Sequence, residues 1–240
     1  MSEFVEYNRD TNPYPCSGKK YNGERAVISL TSWKARINTV SKTLYSLIKQ
    51  CPGFHIVLVL SEEEFPQKEK ELPENLMVFV ENELIELLWV YKNYKSFKKV
   101  LFTMDKYRDV PVISADDDCI YTCNYAQMLY DEWTKHKECC ISNNVFEKYF
   151  FTWTQGASTL YFPNCFKQIG IKNSNLVFKC KSSNDDAFIG ALYKKLSISC
   201  KKVKFKNLPF IFHSTLYALS PKSDGNGYNA KKIYLHFIKI

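Results

Sequence analysis

At 240 residues, 45% apolar and 15% aromatic, the chain holds enough material for a substantial core, which excludes a disordered protein. Its net charge of +8 comes almost wholly from lysine, since the only arginines are Arg9, Arg25, Arg36 and Arg108. Readers of nucleic-acid bases lean on arginine, so no nucleic-acid partner is expected; a diffuse attraction to phosphates, sugar nucleotides or acidic lipid fits better.

Residues 1–24, polar and broken by Pro13 and Pro15, read as an irregular N-terminal arm without the apolar core of a secretory signal. Arg25–Ser32 is the first predicted strand. A helix over about Thr39–Gln50 carries Val40, Leu44, Leu47 and Ile48 on one face, and Cys51-Pro52-Gly53 stops it. Phe54–Leu60 is a second strand, interrupted only by His55 and far too short to span a bilayer. After a charged, proline-broken stretch, Ser61–Pro73, the apolar run Leu76–Val80 reads as a third strand. A helix over about Lys95–Tyr107 places Phe97, Val100, Leu101 and Met104 on one face. Lys95, Lys98 and Lys99, at i, i+3 and i+4, share another.

Val110–Ala115 reads as a buried strand that ends abruptly in Asp116, Asp117 and Asp118. Side chains alternate along an extended chain, so Asp116 and Asp118 are expected on one side and Asp117 on the other. A helix over about Tyr125–His136 turns Tyr125, Met128, Leu129 and Trp133 inward, and Glu138–Ser142 is a short strand. Residues 145–158 are aromatic-rich with no clear period; Tyr149, Trp153 and the nearby phenylalanines either seal the sheet or stack on a carbohydrate. Thr159–Phe162 is a strand ended by Pro163. Ser183, Asn184 or Asp185 can cap a helix whose first turn holds Asp185 and Asp186. Ile198–Phe205 and Phe210–His213 read as late strands. Beyond a turn at Ser223–Gly227, Ile233–Ile240 reads as an edge strand or an amphipathic contact with lipid. Strands alternating with helices predict an α/β fold with a central sheet flanked by helices.

Glycine-rich nucleotide motifs, G-x-S-x-G and H-E-x-x-H are all missing. The nine cysteines show no Cys-x-x-Cys spacing and read as reduced thiols, with Cys139-Cys140 as small core residues. The remaining chemistry is acidic. Asp116 and Asp118 at a strand end suit a hard divalent cation that also holds a diphosphate. Asp185-Asp186 is the second acidic site, for which plain helix capping is the alternative.

These residues carry a resemblance. Ala115-Asp-Asp-Asp118 after an apolar strand resembles the Asp-x-Asp signature of GT-A fold glycosyltransferases. Val27–Ile37, Leu60–Pro66 with Leu72-Pro73, Lys95–Lys99, Thr154–Pro163 and Asn184–Phe188 resemble further blocks, in order, of a bacterial group acting in lipopolysaccharide and capsule synthesis. The resemblance implies a single-domain, Rossmann-like mixed sheet flanked by helices over residues 25–240, with a donor half to about 120 and an acceptor half from about 121. It implies a nucleotide-sugar donor, UDP-sugar first, with Mn2+ or Mg2+ held by Asp116 and Asp118. His213 is a candidate third metal ligand. Thr31, Ser32, Arg36 and Asp117 would line the nucleotide, and Lys95 and Lys99 would reach the donor. Asp185-Asp186 matches an acidic pair whose last member, Asp186, would act as general base. The acceptor would be an oligosaccharide or lipid-linked glycan, and the setting cytoplasmic, with peripheral contact at the inner face of a membrane. A metal-dependent sugar nucleotidyltransferase and a non-catalytic glycan-binding protein are the rival readings.

Overall fold

The computed structural model describes residues 14–148, 150–166 and 185–213. The expectations for residues 1–13, Tyr149, Ser183, Asn184, Ser223–Gly227 and Ile233–Ile240 lie outside them. Elements are numbered along the described residues.

β2 (Ala26–Thr31) and β3 (Phe54–Ser61) are buried along almost their whole length, as near-continuous apolar runs of a parallel sheet should be. They pair in parallel, and β2 pairs on its other side with β5 (Val112–Ser114), also in parallel. β3 pairs with β4 (Glu86–Val90), and β1 (Cys16–Gly18) closes that edge antiparallel to β4. Beyond β5, β10 (Thr159–Tyr161) runs antiparallel between β5 and β7 (Cys139–Ser142), and β11 (Ser199–Lys202) follows parallel to β7. The eight-stranded order is β1-β4-β3-β2-β5-β10-β7-β11. Two smaller ladders pair β6 (Cys119–Tyr121) with β12 (Phe210–Phe212), and β8 (Val145–Lys148) with β9 (Phe151–Thr154).

Alternation along the strands divides the core. Ile28, Leu30, Ile56, Leu58 and Leu60 share one cluster with α1 (Val40–Leu47), α2 (Glu74–Glu81) and α4 (Tyr125–Lys135). Val27, Val57 and Val59 face α3 (Lys98–Lys106) on the other side. A third cluster joins the start of α3 to α5 (Asp185–Leu196).

Two expectations are corrected. Leu76–Val80 is not a strand but the body of α2, which buries Leu76, Phe79 and Val80 at i, i+3 and i+4 and leaves Val78 exposed. An all-apolar run cannot reveal its period; Pro73 before the first turn and Glu74 within it are the helix-start signals. The actual neighbour of β3 is β4, which opens on a charged residue. Part of the N-terminal arm is also regular, because Cys16–Gly18 pairs with Leu88–Glu86.

Glu86 and His55 are charged-type residues inside strands, and they meet. His55 Nε2 lies 2.9 Å from Glu86 Oε2, and Lys106 Nζ and the Tyr107 hydroxyl donate to the same carboxylate. Burial pushes the Glu86 carboxyl up, but His55, Lys106 and Tyr107 outweigh it and hold the group below its ordinary value. Glu86→Ala takes this acceptor from the buried His55 and Tyr107 and from the half-buried Lys106, and is expected to cost about 3–5 kcal/mol in urea unfolding. Because the folded carboxyl is depressed, its contribution is present above the unfolded carboxyl range and fades as pH falls. The gap between wild type and variant should therefore narrow in acid.

Candidate functional site

β2, β3, β4 and β5 run parallel and end at one edge of the sheet, the edge where α/β sheets gather polar loops. β5 stops at Ser114, and Asp116–Asp118 form the turn into β6. The backbone of this turn is pinned from several elements. The Asp116 amide donates to the Tyr121 hydroxyl at 2.8 Å, which itself donates to Ala157 O at 2.9 Å. Thr43 Oγ1 donates to Asp117 O at 2.9 Å, and the His213 amide donates to Asp118 O at 2.8 Å.

A turn does not alternate, so the expected sidedness changes. Asp117 and Asp118 share one partner, Arg36, at 2.7 and 2.6 Å, and Ser32 Oγ donates to Asp117 Oδ2 at 2.6 Å. Asp116 turns away from Arg36 to the ammonium of Lys99. Burial pushes the Asp117 carboxyl up to about 6, against the opposing pull of Arg36 and Ser32. Burial, then the charge of Asp116, raises Asp118.

Lys99 extends the site to its second half. Its buried Nζ lies 3.4 Å from Asp185 Oδ2 as well as against Asp116. Burial would lower its pKa, but Asp116 and Asp185, with Asp186 behind them, raise it well above the ordinary lysine value. Asp185 and Asp186 open α5, where the helix dipole favours carboxylates. Burial and the charge of Asp185 push Asp186 up, against Lys99 and a hydrogen bond from the Gly156 amide. That bond is 2.9 Å long. Gly156 arrives because β10 runs antiparallel to β5, which brings the loop before β10 to the same edge. A Cβ on Gly156 would stand 2.9 Å from Asp186 Oδ1 and 3.3 Å from Lys99 Nζ.

Of the residues expected from the sequence, Ser32, Arg36, Lys99, Asp116, Asp117, Asp118, Asp185 and Asp186 converge. His213 borders them, its Nε2 lying 3.1 Å from Thr43 Oγ1. Thr31 Oγ1 is spent on Val59 O at 2.6 Å within the sheet. Lys95 is exposed in a 3₁₀ turn before α3. The three lysines therefore do not share a solvated helix face: Lys98 is buried, donating to Glu64 Oε2 and Asn93 Oδ1 at 3.0 Å each. Gly156 stood out in the sequence only within the Thr154–Pro163 block, and Tyr121 carried no signal of a place in the site. Of the described residues of the aromatic run, Phe151 and Trp153 are buried, with Trp153 stacked on Phe146, whereas Phe146 and Phe150 are exposed.

Among the described residues no set of three or more His, Cys, Asp or Glu converges into a ready metal shell. The chemistry of the donors nonetheless fits a hard divalent cation. Five carboxylates face only Arg36 and Lys99 within this group, and burial first, then neighbouring carboxylates, raises Asp117, Asp118 and Asp186. Mg2+-type ions take one or two protein carboxylates and fill their shell with phosphate oxygens and water.

No family model matches the chain, and no curated protein matches its sequence. Many solved structures do match in fold. TarS of S. aureus, residues 1–349 in complex with UDP, is 13% identical with a TM-score of 0.51, over 75% of this chain and 58% of that one. The glycosyltransferase GlyE of Streptococcus pneumoniae TIGR4 is 13% identical with a TM-score of 0.47, over 90% of this chain and 64% of that one. The mannosyltransferase PcManGT of Pyrobaculum calidifontis, in complex with GDP-Man and Mn2+, is 11% identical with a TM-score of 0.48, over 82% and 62%. The chain thus spans less than two thirds of each of these three. Together with the eight-stranded mixed sheet and its flanking helices, the likeness to TarS shows an α/β fold that the two chains share.

Proposed function

We propose that the chain moves a sugar from a nucleotide-diphosphate sugar, a UDP-sugar in the first instance, to a glycan or lipid-linked acceptor in surface polysaccharide synthesis. The observation that carries this reading is the meeting of two acidic groups, Asp116–Asp118 and Asp185-Asp186, at one sheet edge on either side of Lys99. The likeness to a structure holding UDP supports the choice of nucleotide. Residues 25–240 would act as one domain, its donor half ending near Asp118.

In this reading Ser32, Arg36 and Asp117 receive the nucleotide. Asp116 and Asp118 would hold Mg2+ or Mn2+, which when bound offsets the charge of the leaving diphosphate. His213 would orient Asp118 through its backbone, with its ring as a reserve ligand. Asp186 accepts the proton of the acceptor hydroxyl as the new glycosidic bond forms. Burial and the charge of Asp185 raise its pKa above the ordinary carboxyl value, which makes it a stronger proton acceptor. Gly156 keeps that carboxylate oriented. No helix among the described residues is long and apolar enough to cross a membrane, and we place the reaction at the cytoplasmic face.

The test is release of nucleoside diphosphate from a panel of sugar nucleotides with Mn2+. Asp116→Ala and Asp118→Ala are each expected to lower metal-dependent release at least about 10²-fold. Undiminished turnover in both variants would sink the donor assignment, and pyrophosphate as product would identify a nucleotidyltransferase instead.

A further inference from the structure

Among the described residues, the most exposed large apolar side chains apart from Phe150 are Leu208, Ile211, Tyr45 and Phe212. They belong to neighbouring elements. β12 carries Ile211 and Phe212 and pairs with β6, with Ile211 opposite Ile120. β6 is fastened to α1, since the Tyr121 amide donates to Ser46 Oγ at 3.0 Å. Tyr45 is on the exposed side of α1, with Lys49 Nζ 3.9 Å from its ring centre. β11 is parallel to β7 and ends at the same edge as β5. From there Val203–Pro209 returns along that edge to β6, where the Thr122 amide donates to Pro209 O at 2.9 Å. Leu208 sits on this returning segment.

The charge of these segments is one-sided. Residues 38–51 and 199–213 hold six lysines (Lys42, Lys49, Lys201, Lys202, Lys204 and Lys206) and no Asp or Glu. All six are exposed. A contiguous apolar patch rimmed by polar groups marks an interaction surface. Apolar tips among lysines are the composition of an interfacial membrane contact, in which the tips enter the headgroup region and the lysines meet lipid phosphates.

We propose that the face built from α1, β12 and the Val203–Pro209 segment rests on an anionic lipid surface. Leu208, Ile211 and Tyr45 enter it, and the surrounding lysines bind its phosphates. A nucleic acid would use the lysines but has no use for Leu208 and Ile211. The face is continuous with the catalytic edge, because the residue after β12, His213, donates its amide to Asp118 O. A lipid-linked acceptor would then be presented to Asp186 without leaving the membrane. That last step rests on the proposed glycosyl transfer; the lipid contact itself does not.

The experiment is co-sedimentation of the full chain with phosphatidylcholine vesicles, with and without phosphatidylglycerol, at low and high salt. Wild type is expected to pellet with the anionic vesicles and to be released by salt. The double variant Leu208→Ser/Ile211→Thr should lose at least about tenfold in partitioning. Its thermal midpoint and its release of nucleoside diphosphate from a soluble donor should be unchanged. Failure of wild type to bind anionic vesicles overturns the proposal. Equal binding by both proteins, each monomeric, assigns the face to residues 214–240 and overturns it too. A wild-type dimer that the variant dissociates assigns it to a second copy, with the same result. Vesicle binding as expected without any nucleoside diphosphate release would reject glycosyl transfer and leave the lipid surface standing.

Discussion

Asp186→Asn is expected to retain binding of UDP with Mn2+ and to slow sugar transfer by about 10²–10⁴-fold, the usual worth of a positioned general base. The substitution keeps the shape of the side chain and an oxygen to accept the Gly156 amide at 2.9 Å. What it removes is the capacity to take a proton. Asp185 is a poor substitute, since its Oδ2 lies 3.4 Å from the Lys99 ammonium. Calorimetric titration with UDP and Mn2+, together with transfer measured on the same preparation, separates the two effects. Transfer at the wild-type rate would point to a retaining mechanism or to another base.

Gly156→Ala is expected to lower transfer by about 10²-fold, the order of effect that a displacement of 1 Å in a reacting group produces. The cause is space, not backbone strain, because Gly156 does not adopt the positive φ seen at Gly18, Gly23 and Gly53. A methyl group would stand 2.9 Å from Asp186 Oδ1, 3.3 Å from Lys99 Nζ and 3.5 Å from Asp185 Oδ2. None of these can retreat freely. Lys99 is buried and tied to Asp116, and both aspartates are fixed to the first turn of α5. Affinity for UDP should change less than transfer, because the tightest contact, at Asp186 Oδ1, falls on the proposed proton acceptor. A rise in the donor KM with unchanged kcat would contradict this placement.

The acidic centres were legible in the sequence because carboxylates that interrupt apolar runs mark element ends, as at Ala115-Asp116 and at the start of α5. Their partnerships were not. Alternation holds only while the chain is extended, and the turn after Ser114 hands Asp117 and Asp118 jointly to Arg36. Lysines at i, i+3 and i+4 ordinarily share a solvated face. Here Lys98 and Lys99 are buried, because Glu64 and Asp116 come from distant parts of the chain to meet them. β4 was hidden for a related reason. It opens on Glu86, whose charge makes sense only once His55, Lys106 and Tyr107 surround it. α2 was hidden by its own uniformity, since Leu76–Val80 shows no polar side until it folds.

The reversed direction of β10 has a consequence for how such a scaffold can diversify. Because β10 enters the sheet from the edge that bears the acidic groups, the β8–β9 hairpin lies just upstream of Gly156, with Phe151 and Trp153 buried against the body of the fold. Its tip, at the exposed Phe150, stands about 13 Å along β9 from Thr154. β9 itself is clamped to α5, where Gly190 admits the Thr152 carbonyl so closely that a Cβ would meet it at 2.9 Å. The tip can therefore be lengthened, shortened or recoloured, while the packing of β9 on α5 holds Asp186, the proposed proton acceptor, where it is.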